Sequence, residues 1–223
     1  DYTSVNIYTD GFVTFGTPLA TNSYHYHYKP LSANNTHNKE IIAIISDDLE
    51  GLNIGGKQGE ISYEVSGMAP NRIYTIQWKD FTRSQWSGYD NNRFEMNFQL
   101  SLHENGLIEK KYNITAIGDP DDRYFSVGLR GSTAADFATR KAEGSNANNW
   151  TMTTQGTAKS DEIYTKNTIL PPSGLTFTWT PATCLPNFQY GVDSNMITQV
   201  IFNTISNTSP FTSGTTPVYE DFT

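Results

Sequence analysis

The stretch from Gly59 to Ile114 alternates apolar and polar side chains more cleanly than any other, and few architectures can absorb it. From Phe94 to His103 every second residue is large and apolar (Phe94, Met96, Phe98, Leu100, Leu102), while Glu95, Asn97, Gln99, Ser101 and His103 take the other face. A repeat of two is that of a strand with one face in a core and one in water. Upstream, Ile61, Tyr63 and Val65 alternate with Glu60, Ser62 and Glu64, the run breaks at residues 67 to 71, and Tyr74, Ile76 and Trp78 resume it. That pattern predicts a hairpin with a five-residue connection. Downstream, Asn105-Gly106 suits a type I′ turn, so the Phe94 strand should fold back through Ile108 and Tyr112. Four consecutive antiparallel strands follow.

The remaining segments extend this all-β reading. Val5 and Ile7, then Asp10-Gly11 before Phe12 to Phe15, predict a second hairpin. Residues 17 to 39 are polar and turn-rich and should form a long surface loop or a loose edge segment. Ile41 to Ile45 is a short continuous apolar run, expected to be a central strand covered on both faces and ended by Asp47-Asp48. Phe125 to Leu129 predicts another buried strand, entered from a turn over residues 118 to 122. Residues 131 to 166 show little periodicity and predict an irregular excursion with a helical turn over 134 to 141. Leu175, Phe177 and Trp179 alternate with threonines in a closing strand. About nine or ten strands so spaced predict a two-sheet antiparallel β-sandwich, jelly-roll or lectin-like, over residues 1–181. Pro181 to Pro186 marks a boundary, and residues 182–223 are too few for a core of their own. They are expected to be a strand added to the sandwich or part of a second β module.

Composition narrows the function. A chain of 223 residues can bury a core without disulfides, and Cys184 is its only cysteine, which excludes an internal disulfide framework or a multi-cysteine metal site. A net charge of −8 and a pI near 4.9 argue against nucleic acid or an anionic membrane as partner. No apolar run approaches the length of a membrane span or the core of a signal peptide, so the chain reads as a mature or excised piece. With 17% charged residues and abundant Thr, Ser, Asn and Gly, the surface resembles that of secreted β-proteins.

Catalytic frames are missing: the sequence has no Gly-x-Ser-x-Gly elbow, no P-loop, and no Gly-x-Gly-x-x-Gly. The expectation is a non-enzymatic protein. His25 and His27 share one face of an extended segment but lack a third ligand in any recognised frame, so a solvated loop is the competing explanation. Asp47 and Asp48 near Glu50, and Asp119, Asp121 and Asp122 in a turn, are hard-oxygen clusters that could hold structural Ca²⁺, although hydrated turns look the same in sequence. Carboxylates for glycoside hydrolysis could be drawn from Asp47, Asp48, Glu60, Glu64, Glu95 and Glu104, without any spacing signature. Trp86 and Tyr89 in a polar loop, with Trp150, are the candidate ligand-binding residues, because an exposed ring stacks on the apolar face of a sugar. The competing explanation folds these rings back as lids on the core.

The order of several short motifs resembles the sandwich domain of secreted surface proteins from Bacteroidetes-type bacteria, many of them exported by the type IX system. The matching pieces are Tyr2 to Ile7, Asp10 to Gly16, Ile44 to Leu49, Gly59 to Tyr63, Ala69 to Trp78, Phe98 to Gly106 and Ser126 to Leu129. In that family a strand with an aromatic-Tyr-Gly motif precedes the first piece, so the resemblance implies a late start here. Lys110 departs from the pattern, standing where an apolar residue is usual, and predicts an edge strand with one wet face. The tail, from Cys184 through residues 197 to 208 to the Tyr219 to Thr223 segment, resembles the opening of a GEVED-type domain. The resemblance implies export and display: an extracellular or cell-surface binding or adhesion module with a glycan or surface-protein ligand, among neighbouring domains of one polypeptide. The alternative it leaves open is a spacer or accessory domain of a secreted protease or glycosidase.

Overall fold

The computed structural model describes residues 4–16, 18, 29–33, 39–84, 93–142 and 149–181, together with the backbone of 211–216. Two antiparallel sheets face each other. In the first, β1 (Val5–Tyr8), β2 (Phe12–Phe15), β3 (Ile41–Ser46), β9 (Arg123–Arg130), β10 (Phe137–Lys141) and β11 (Thr154–Gln155) lie side by side in that order, and β12 (Ile163–Thr165) also pairs with β9. The second runs β14 (Phe211–Thr216), β13 (Leu175–Pro181), β8 (Ile108–Ile117), β7 (Arg93–His103), β6 (Ile73–Arg83) and β4 (Leu49–Gly51), with β5 (Glu60–Ser66) also on β6. The result is a two-sheet β-sandwich.

The alternating stretch forms β5 to β8 as expected, and its apolar set makes the second sheet's contribution to the core. Ile76, Trp78, Met96, Phe98, Leu100 and Tyr112 are wholly buried against Val13, Ile44, Phe125 and Val127 of the first sheet. Trp78 stacks on Phe98 at 5.2 Å between ring centroids. Its indole N–H crosses to the first sheet and donates to the Tyr8 carbonyl at 3.0 Å. A buried indole with its donor satisfied adds area without leaving an orphan polar group.

The β7–β8 connection differs from the type I′ turn expected at Asn105-Gly106. Of the two residues only Gly106 has a positive φ (88°), and the His103 amide donates to the Leu107 carbonyl at 2.9 Å, closing a three-residue loop. The β1–β2 hairpin repeats this form: Tyr8 pairs with Phe12, and Gly11 takes a φ of 74°. A three-residue loop that ends on a left-handed glycine is the next most favoured hairpin after the two-residue types. At Gly11 there is also no room for a side chain, since a Cβ would lie 2.3 Å from the Ile45 carbonyl oxygen.

β3 is buried along its whole length, as its apolar run predicts. Ile42, Ile44 and Ile45 face the sandwich core. Phe12, Ile41 and Ala43 form a smaller cluster with Leu31, which comes from the segment expected to be surface loop or loose edge. That segment is held down by Arg130, whose buried guanidinium donates to the carbonyls of Pro30 and Leu31 at 3.2 Å each, and to that of Ala33.

Two expectations are corrected by the sheets. Residues 137 to 141, inside the predicted helical turn, form the strand β10 between β9 and β11, because Ala138 and Arg140 turn into the sandwich while Phe137 and Lys141 are half-exposed. Lys110 does not sit on an edge. β8 lies between β7 and β13, and the lysine is fully buried. The register of β3 against β9 shifts between Ala43 and Ser46, and side chains of the opposite sheet take carbonyls there. Lys110 Nζ donates to the carbonyls of Ala43 (2.8 Å) and Gly128 (2.7 Å), and the Tyr112 hydroxyl donates to that of Ile44 (2.6 Å). The ammonium also lies 3.9 Å from the centroid of the Trp179 ring. Burial, with the Arg140 charge second, pushes the Lys110 pKa well below its ordinary value. The carbonyls and ring oppose that shift by solvating the cation.

Candidate functional site

The sandwich opens at the end where β2, β7 and β9 finish and β3, β8 and β10 begin. Phe15, Ile42, Leu129 and Ala138 of the first sheet face Leu102, Leu107 and Ile108 of the second across a cavity of about 350 Å³, which Ile41 and Phe137 also line. Its walls are apolar because they are the last core-facing positions of each strand, with no further layer to cover them. Four polar residues belong to the lining: Glu40, His103, Arg130 and Asp136.

Two of the four are engaged elsewhere. Arg130 is the clamp on the Pro30–Ala33 carbonyls, and its pKa is lowered by burial. His103 Nε2 sits 2.7 Å from a Glu109 carboxylate oxygen, bridging β7 to β8. The other two carboxylates have no hydrogen-bond or ion-pair partner among the described residues, and both stand beside Gly131. The Glu40 amide donates to the Gly131 carbonyl at 3.0 Å and its own carbonyl accepts from Phe15 N–H at 3.2 Å, which fixes Glu40 between the ends of β2 and β9. Its φ is 56°, left-handed backbone that costs a residue with a Cβ about 1–2 kcal/mol. Gly131 N–H donates to the Asp136 carbonyl at 2.8 Å, and the Asp136 carboxylate covers the Gly131 Cα so closely that a Cβ there would lie 1.8 Å from Oδ2.

The cavity continues into an open groove. Phe15 and Leu102 line both, and the groove adds Ser4, Val5, Ile7, Tyr63 and Tyr74. The β5–β6 hairpin beside it presents Tyr63 at 68%, Val65 at 56% and Met68 at 83% exposure, the Tyr63 and Tyr74 rings lying 5.5 Å apart. Contiguous apolar surface of this kind is uncommon on a soluble domain unless something binds it.

The residues singled out in the sequence lie elsewhere. Trp86 and Tyr89 fall outside the described residues, as do His25, His27, His37 and Cys184. Trp150 is not an exposed platform. It starts a single 3₁₀ turn (Trp150–Met152) capped by Asn149, is 1% exposed, and lies parallel to Phe177 at 6.2 Å and edge-on to Tyr112 at 5.4 Å. The acidic clusters do not converge either: among the described residues no three His, Cys, Asp or Glu side chains gather as metal ligands. Asp47 is buried beside Arg83 at 3.4 Å, its pKa raised by that burial against the lowering effect of the Asp48 amide and Arg83. Asp48 follows it in the bend before β4. Asp119 accepts from Asn167, Asp121 pairs with Arg123 at 3.2 Å, and Asp122 accepts from the Tyr164 hydroxyl. Of the carboxylates considered for hydrolysis, Glu95 is taken by Lys57 and Glu104 by Arg72.

Sequence reasoning did not find the cleft. Glu40 and Asp136 are ordinary loop acids in the sequence, and only the pairing of β3 with β9 brings them to one glycine.

A family model described as NIDO-related matches residues 1–181 of the chain. No curated protein and no solved structure matches it.

Proposed function

The chain belongs to the NIDO-related family, and on that premise we propose that it is a non-enzymatic extracellular binding or adhesion module of a larger secreted or surface-anchored protein. The observation that carries this reading is the apolar cleft and its continuation into the groove beside Tyr63 and Tyr74. An elongated, largely apolar recess with few polar groups suits the side chains of a protein partner. A sugar would need a denser set of hydrogen-bonding groups than the cleft offers, so a glycan ligand rests on Trp86 and Tyr89 instead.

The finer reading, a type IX-exported surface protein of a Bacteroidetes-type bacterium with a GEVED-type domain beginning near residue 182, rests on the order of sequence motifs. The accessory-spacer alternative draws on β14, whose backbone pairs with β13 from Thr176 to Pro181 and so ties the tail to the sandwich.

Biolayer interferometry against purified extracellular proteins and glycans tests the binding reading, with Tyr63→Ser and Leu107→Ser as surface variants that spare the core. A protein ligand whose affinity falls at least about tenfold in either variant sustains it. Ligands indifferent to both substitutions, or binding to glycans alone, would remove the cleft from the account.

A further inference from the structure

We infer that the cleft receives a basic side chain, lysine or arginine, from an extended segment of a partner protein; this rests on the cleft being the binding site. Three observations converge on this. First, the recess is lined by aliphatic and aromatic side chains from both sheets, which suits a methylene stem and offers nothing to a compact hydrated ion. Second, the acids at its margin are unengaged, while the side chains of its basic residues turn to the outer faces of the sheets, Arg130 on the side of Ile41 and His103 on that of Glu109. The carboxylates of Glu40 and Asp136 make no hydrogen bond or ion pair among the described residues, while Arg130 and His103 are held by the Pro30–Ala33 carbonyls and by Glu109. An apolar recess with acidic groups at its margin is complementary to an apolar stem with a cationic head. Third, the groove that opens from the cleft through Phe15 and Leu102 gives the residues flanking the basic one an apolar bed against Val5, Ile7 and Tyr74. A free alkylamine would fill the cleft and leave this bed empty, which is why the occupant is assigned to a protein segment.

The backbone at Glu40 agrees with this assignment. A left-handed φ is accommodated most cheaply by glycine, and here it carries a glutamate whose main chain joins β2 to β9. The strain is the cost of presenting a carboxylate at that point of the margin.

Blocked peptides Leu-Xaa-Phe, with Xaa lysine, arginine, norleucine or glutamate, provide the test on the whole chain. Amide shifts of Glu40, Gly131, Asp136 and Leu107 report on the site, and titration calorimetry reports affinity. The lysine and arginine peptides are expected to move these amides and to bind about tenfold more tightly than the norleucine peptide, the scale of two partly exposed ion pairs. The glutamate peptide should bind weakest. In the Glu40→Gln, Asp136→Asn double variant the basic peptides should fall to the norleucine level while norleucine itself is unchanged. On the unaltered protein, raising the salt should weaken the basic peptides alone, a readout independent of how the variant folds. Equal affinity for norleucine and lysine would overturn the charge assignment and leave the cleft as the binding site. If no peptide moves the four amides, the cleft reading and this inference fall together. A hexylamine control as tight as the lysine peptide would overturn the assignment to a protein segment.

Discussion

Ile108 and Lys110 point to the same side of β8, two residues apart, and sit in opposite kinds of surroundings. At Lys110 the sheets are closed, and a charge is taken wholly out of water because two carbonyls and an indole face replace its hydration. At Ile108 the sheets part, and the carboxylates at the margin of the gap have no such replacement. The contrast separates polar groups that serve the fold from those that remain available. A buried cation with every direction answered is a structural pin across the β3–β9 irregularity, whereas an unanswered acid beside an apolar recess is half of an interaction.

The widest gap between the two regions should appear in stability. Trp150→Ala and Lys110→Ala are each expected to cost about 3–5 kcal/mol in chemical denaturation, the first by opening a cavity against Phe177 and Tyr112, the second by adding two orphaned carbonyls. Lys110→Met keeps the stem and should lose less. If Lys110→Ala proved neutral, the pin would not be one. Next in size, Gly11→Ala combines a left-handed backbone with a clash on the Ile45 carbonyl and should cost about 2–3 kcal/mol by the same measurement. The cleft acids should behave differently. Glu40→Gln and Asp136→Asn are expected to stay within about 0.5 kcal/mol of the parent. Glu40→Gly should equal or exceed it by about 0.5 kcal/mol as backbone strain is released. A large loss at either acid would move it to the structural side of the contrast.

The smallest effect concerns an acid that does have a partner. Glu104 accepts from Arg72 through both carboxylate oxygens, and these bonds hold its pKa down to about 2, against an ordinary 4.5. A depressed carboxylate contributes stability that is complete above the ordinary value and is lost as the pH falls toward the depressed one. Thermal melts of Glu104→Gln should therefore show a shallower loss than the parent between pH 4.5 and about 2. The pair is solvent-exposed, so salt should shrink the difference. An identical acid limb in both proteins would show that the pair contributes nothing.

How far the sequence spoke depended on whether a property was local. β5 to β8 were legible because alternation and a glycine turn sit within a few residues of each other, and β3 because an unbroken apolar run has few alternatives. Lys110 was legible as an anomaly and was misread. An amine in an apolar position says that something is different, but the carbonyls that welcome it belong to Ala43 and Gly128, and no nearby residue announces the register shift between β3 and β9. Trp150 stood between two readings, an exposed ring and a lid on the core, for a related reason: the 3₁₀ turn that buries the ring is set by Asn149 and by packing on Phe177. The cleft was invisible because Glu40, Gly131 and Asp136 meet only through strand order.

That strand order also bears on when the cleft comes into being. β5 to β8 are sequence neighbours joined by short connections, so they can pair early. β3 must find β9 across nearly eighty residues of chain, and Arg130 must find Pro30 at a separation of 100 residues. Pairings of such separation close slowly, after local ones. A recess walled by both sheets has no precursor in a half-folded chain, so occupancy of the cleft would report that the domain has finished folding, a property useful to any assembly that must recruit only completed copies.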